Sequence, residues 1–159
     1  SGLVHIQERF QKTYGFCMSV TSYFDKVRIQ TVKDILSEEL IDSGMSQAIL
    51  TDMGGNIIAQ QDNGDTAYDA MNLAVLAASN IGSLTAMSNI IGEKEFPMFI
   101  LKGERDNIHF NQVTEDLFLI TLFNREQSLS FVRKRIEAAI KSIRELIRHC
   151  DIPPLKPSA

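Results

Sequence analysis

Apolar positions recur along this chain with two different periods. Val32, Ile35, Leu36 and Leu40 fall three and four residues apart ahead of Gly44, which predicts an amphipathic helix stopped by glycine. A longer stripe, Leu129, Val132, Ile136, Ala139, Ile140, Ile143, Leu146 and Ile147, predicts a helix from about Ser128 to Cys150. Its other side carries Arg133, Lys134, Arg135, Glu137, Lys141, Arg144, Glu145 and Arg148. Between these helices lie short runs of strand character. Ser46–Asp52 and Ile57–Gln61 flank Met53-Gly54-Gly55-Asn56, which predicts a hairpin. Phe99–Lys102, Ile108–Val113 and Leu117–Asn124 follow with tight connections and predict a meander. In its middle run Ile108, Phe110 and Gln112 alternate with His109, Asn111 and Val113, an imperfect period of two expected of a sheet with one better-covered face. Leu117–Phe123 is apolar on both faces and belongs at the centre.

A central helix separates the hairpin from the meander. The pattern starts it at Asp65 or Thr66 as N-cap and ends it at Ile91, with Gly92 as the stop. The order is therefore helix, two strands, long helix, three strands, helix. It predicts an α+β domain with a five-stranded antiparallel sheet covered by helices. Residues 1–30 are expected as an arm or a backward extension of the first helix, 31–150 as the folded domain, and 151–159 as a flexible Pro-containing tail.

The central helix is unusual because no charged residue occurs from Ala70 to Ile91. Leu73, Leu76, Ala77, Leu84, Met87 and Ile91 form its expected sheet-facing set. Met71, Ala74, Val75, Ala78, Gly82 and Thr85 form the outer set. A helix without a charged face is covered on both sides. The expected cover is a second copy of the chain in a twofold dimer, the alternative being the arm of residues 1–30. The stretch is long enough to cross a bilayer, but Asn72, Ser79, Asn80, Ser83, Thr85, Ser88 and Asn89 would each be costly there, so no membrane insertion is expected.

Charge and candidate chemistry narrow the picture further. The net charge of −4 gives no basic field for nucleic acid, so no such partner is expected. Cys17 and Cys150 have no metal-like spacing and are expected as thiols of a cytoplasmic protein. His5, His109 and His149 fall in no triad or metal pattern, and His109 is expected as a cross-strand surface residue. The Gly54-Gly55 pair lacks the lysine and spacing of a phosphate loop. Glu93, Glu95, Glu104 and Asp106 are expected as solvated turns, and Arg125 as a surface charge rather than an arginine finger. The expectation is a protein-binding domain with no catalytic residue, cofactor or metal of its own.

The run from Asn72-Leu73-Ala74-Val75-Leu76-Ala77-Ala78 through Ile90-Ile91-Gly92-Glu93-Lys94-Glu95-Phe96-Pro97 resembles the central helix and following turn of Roadblock/dynein light-chain domains, especially the bacterial MglB type. Phe123 followed by Ser128-Leu129-Ser130-Phe131-Val132-Arg133 resembles that family's approach to its last helix, and the Ala48–Ala59 hairpin is similar in place. The resemblance spans residues 31–148. It implies a profilin-like fold with the central helix on one sheet face and the N- and C-terminal helices on the other. It further implies a homodimer of paired central helices that regulates a small Ras-like GTPase, stimulating GTP hydrolysis without an arginine finger. On this basis Asn72 and Ser79 are expected in the GTPase-binding surface. A scaffold linking larger assemblies is the alternative, and a small-ligand sensor a further one.

Overall fold

The computed structural model describes residues 24–65, 68–93 and 98–148. Helix α1, Lys26–Leu36, starts at Asp25, whose carboxylate accepts the Arg28 amide at 2.8 Å, so the open start of this helix is fixed by an N-cap. It runs into one π-helical turn, Ser37–Ile41, closed by the Asp42 amide donating to the Ser37 carbonyl at 2.8 Å.

Strands β1 (Gln47–Asp52), β2 (Ile57–Asp62), β3 (Met98–Lys102), β4 (Asp106–Gln112) and β5 (Leu117–Asn124) form one sheet. Their spatial order is β2-β1-β5-β4-β3, with every neighbouring pair antiparallel. The all-apolar β5 is central and buried on both faces as far as Phe123. The β1–β2 turn closes through Asp52, whose carboxylate accepts the Gly54 and Asn56 amides and the Asn56 side chain at 2.9 to 3.0 Å.

Helix α2, Ala70–Ile91, covers one face; α1 and helix α3, Leu129–Arg148, cover the other. Under α1 and α3 lies the larger core, built on Val32, Leu36, Leu40, Leu119, Phe123, Val132, Ile136 and Ile143. The smaller core under α2 contains Ile49, Ala77, Phe110, Phe118, Ile120 and Leu122. Burying each of the larger of these side chains stabilises the fold by about 1.5–3 kcal/mol. Arg135 of α3 ties the two helices of the larger core together. Its guanidinium donates to the Glu39 and Glu38 carbonyls at 2.9 and 3.2 Å and pairs with the Glu39 carboxylate at 3.1 Å.

The start of α2 differs from the sequence expectation. Asp69, not Asp65, is the N-cap, its carboxylate accepting the Asn72 amide at 3.1 Å; Thr66 lies outside the described residues. The cause is a contact distant in sequence. The Gln47 side chain accepts the Tyr68 amide at 3.2 Å and donates to the Tyr68 carbonyl at 3.3 Å, which holds Tyr68 off the helix. At the other end Gly92 takes the left-handed conformation, φ 77°, and the Glu93 amide donates to the Ser88 carbonyl, as the glycine stop predicts. Residues 1–23 of the expected 1–30 segment, Pro97, residues 151–159, and Cys17, Cys150, His5 and His149 lie outside the described residues, while residues 26–30 belong to α1.

Candidate functional site

Helix α2 packs on its sheet along the line Ala70, Leu73, Ala74, Ala77, Ile81, Leu84 and Ser88. Its rotation is set where the hairpin tip meets it. Gly55, with φ 84°, lies so close that a Cβ there would stand 2.9 Å from the Val75 Cα and 3.3 Å from the Ala74 carbonyl oxygen. Glycine at this position lets the two backbones touch.

That contact corrects the expected facing of the helix. Ala74, expected on the outer side, is fully buried toward the hairpin, and Ala78 is half-buried against the smaller core. Leu76, Met87 and Ile91, expected against the sheet, are exposed. The apolar residues are spread nearly evenly round the helix, so they do not determine its rotation, and the close approach at Gly55 does.

Of the remaining outer set, Met71, Val75 and Gly82 are exposed as expected. Thr85 is exposed too, its hydroxyl donating to the Ile81 carbonyl at 2.9 Å. Leu76, Ala86 and Ile90, absent from the outer set, join this surface. Asn72 is exposed, with its amide group donating to the Asp69 carboxylate at 2.6 Å, and Ser79 is exposed, donating to the Val75 carbonyl at 3.2 Å.

The resulting face is apolar, uncharged and open. Six of the eleven large hydrophobic residues exposed among the described residues, Met71, Val75, Leu76, Met87, Ile90 and Ile91, belong to this one helix. Ile90 is 83% exposed and Met71 71%. The helix is long and apolar enough to cross a membrane by length and composition, and only 17% of its most apolar stretch is buried. The outer side of the helix is thus uncovered among the described residues. Gly82 sharpens the point: a Cβ there would meet nothing within 4 Å, so no contact among the described residues requires glycine. A mid-helix glycine costs about 0.5–1 kcal/mol relative to alanine, and its other common use is the close approach of another backbone.

Two further features bear on chemistry. Under the C-terminal half of α2 a cleft of about 260 Å3 is lined by apolar residues including Leu84, Phe99, Phe110 and Phe118, with Thr85, Ser88, Gln112 and Glu115 as polar members. On the opposite sheet face, His109 is fully buried, not a surface residue as expected. Its ring stands edge-on to Phe123, centroids 4.7 Å apart, and neither ring nitrogen has a hydrogen-bond partner. Burial, with a smaller contribution from Arg133, pushes its pKa down to about 4.

Within the acidic cluster, Asp106 accepts the Tyr68 hydroxyl at 2.9 Å, a bond that raises the tyrosine pKa; Glu95 lies outside the described residues. Among the described residues no group of three His, Cys, Asp or Glu side chains is placed to hold a metal ion. Arg125 is exposed in the turn before α3, its amide donating to the Arg105 carbonyl.

No protein-family model and no curated protein matches the sequence. Solved structures do match. MglB of Myxococcus xanthus is similar at 22% identity, with 83% of this chain and 98% of that one covered and a TM-score of 0.76. An MglB with a tetrameric arrangement is similar at 22% identity over 80% of this chain and 95% of that one, with a TM-score of 0.73. A Roadblock/LC7 domain from Streptomyces avermitilis matches at 14% identity over 73% of this chain and 97% of that one, with a TM-score of 0.65. The order of elements, the helix distribution and this likeness give one answer: the chain adopts the Roadblock fold, in the form shared with the MglB structures.

Proposed function

We propose that the protein is a homodimeric Roadblock-type regulator that binds a small Ras-like GTPase and modulates its GTP hydrolysis. The observation that carries the reading is the uncharged outer face of α2, where exposed apolar residues flank the small residues Ser79, Gly82 and Ala86. A contiguous apolar face of this kind marks an interaction surface, and the small residues let a second α2 approach closely. Ser79, Asn80, Ser83 and Asn89 on the exposed side make a protein cover a better match than hydrocarbon. The sequence resemblance to the MglB type falls on the same helix, and the tetrameric arrangement of one similar MglB supports self-association as the mode of cover.

Regulation of a GTPase is what the resemblance implies. In that reading the protein is not itself an enzyme. It shapes the GTPase's own switch loops and contributes no arginine, with Asn72 and Ser79 at the rim of the paired helices in contact with the GTPase. Its setting is the cytoplasm.

The self-association is tested with Val75→Glu, since Val75 is exposed, whereas Ala78 also serves the core. Light scattering should give the wild type twice the 17.8 kDa mass of the chain and the variant the single mass, with unchanged circular dichroism. A folded, still dimeric variant would remove the helix pairing. The GTPase reading is tested separately by immobilising the protein in lysate of its own organism with GDP or a non-hydrolysable GTP analogue. Preferential capture of a Ras-sized GTPase with the analogue, followed by faster hydrolysis in a turnover assay, is the expected result. Equal capture in both states, or capture of no GTPase, would favour the adaptor role instead.

A further inference from the structure

The geometry points to a second ligand site, on the sheet face opposite α2, in the groove between α3 and the β3–β4 edge, and the ligand it fits is a small molecule bearing a phosphate or carboxylate group. The groove has a volume of about 540 Å3, within the ~300–1,000 Å3 range of small-molecule sites. Its floor is polar where a packed core would be apolar. His109 lines it, with Asn111 two residues on and on the same face of β4. Thr121 is the partner of His109 on β5. Both ring nitrogens of His109, the Asn111 Oδ1 and the Thr121 Oγ1 are buried and without hydrogen-bond partners. Each buried unpaired group costs about 1–3 kcal/mol, and the imidazole N–H among them lacks an acceptor, which an oxyanion would supply.

The walls say what that is. Arg133, Lys141, Arg144 and Arg148 of α3 line the groove against Glu137 and Glu145, a positive balance in a chain whose net charge is −4. No ion pair joins these side chains among the described residues. Arg144 is committed to the fold, its Nε donating to the Val113 carbonyl at the end of β4 and holding α3 against the sheet. Arg133 and Lys141 serve the ligand. The neutral imidazole of His109 offers one N–H donor to an oxyanion. Met98, Ile136 and Ile140 provide an apolar wall for the rest of the molecule.

The test is an NMR titration of the His109 ring nitrogens with inorganic phosphate in one arm and succinate in the other, each raised to on the order of 50 mM against sodium chloride at matched ionic strength. A saturable shift in either arm is expected, and the arm that responds distinguishes a phosphate site from a carboxylate site. Arg133→Gln and Lys141→Gln should each weaken that binding by about ten-fold, as loss of a charge-assisted contact does, while Lys26→Gln on α1 leaves it unchanged. Bound anion should also raise the pH at which the ring titrates, a change that a purely structural role would not produce. Ring resonances that respond to neither salt beyond the chloride control would overturn the assignment and leave a hydrated groove. So would binding weakened equally by Lys26→Gln.

Discussion

Acid should destabilise this fold in part through His109, and the size of that contribution follows from the residue's surroundings. The unfolded ring titrates near 6.5 and the folded ring near 4. Between those values the unfolded chain takes up a proton that the folded chain refuses. The stability held in the neutral ring is therefore full above pH ~6.5 and falls as pH falls toward ~4. The cause is desolvation first, then the Arg133 guanidinium. The other charged groups of the groove, Glu137, Lys141, Arg144, Glu145 and Arg148, also lie on α3, while Met98 of β3 and Thr121 and Phe123 of β5 bring no charge to the ring. The full shift corresponds to about 3 kcal/mol, and screening by solvent at the open side of the groove reduces this to about 2 kcal/mol. The assay is urea unfolding at about pH 7, 5.5 and 4.5 for the wild type and His109→Gln, each analysed by linear extrapolation. Subtracting the two removes the contributions of His5, His149 and the carboxylates. The stability advantage of the wild type over the variant should shrink by about 2 kcal/mol from the highest to the lowest pH. Parallel stability curves would refute the reasoning, as would a folded ring that titrates near 6.5.

Other positions test the packing and the open face. Gly55→Ala forces a Cβ onto the Val75 backbone at φ 84° and should cost about 2–3 kcal/mol in urea unfolding, whereas Gly64→Ala, at φ 82° but in open space, should cost only about 1 kcal/mol. Equal losses would show that backbone conformation alone, and not the contact with α2, makes glycine necessary at Gly55. Arg135→Met keeps the aliphatic stem but loses the bonds to the Glu38 and Glu39 carbonyls, and should cost about 1–2 kcal/mol, allowing for its partial exposure. Hydrogen exchange should quicken in the π-helical turn, and unchanged protection there would exclude the anchoring role. Gly82→Leu should strengthen the isolated helix by about 0.5–1 kcal/mol while weakening self-association in dilution light scattering. A variant more stable and equally associated would place the partner elsewhere.

Much of the fold was legible because short-range chemistry sets it. The Gly54-Gly55 hairpin, the Gly92 stop, the apolar stripe of α3 and the two-faced apolar β5 each depend on residues a few positions apart. The points that escaped depend on distant partners. Nothing near Asp65 reveals that Gln47 will hold Tyr68 and delay α2 to Asp69. Nothing within α2 tells its two apolar sides apart, because the arbiter is Gly55, some twenty positions earlier in the chain. His109 was missed for a related reason. Its alternation with Ile108 and Phe110 matches a sheet wet on one face, and only the placement of α3 over β4 buries the ring.

The proposed interaction surface was legible in a different sense. The lack of charge from Ala70 to Ile91 announces a helix that needs cover on every side, whichever way it is turned. Among the described residues, folding supplies cover on one side only. Residues whose chemistry the monomer uses, such as Ala74 against the hairpin or Ala77 in the core, say nothing further about function. Residues whose chemistry the monomer leaves unused, Gly82 with no neighbour and Ile90 in open solvent, carry the argument for a partner. The same logic separates the two sites proposed for this molecule. On α2 the surplus is apolar area, which a second helix can bury. Beneath α3 it is unpaired hydrogen-bonding capacity beside positive charge, which an apolar helix would leave unsatisfied and an anion would use.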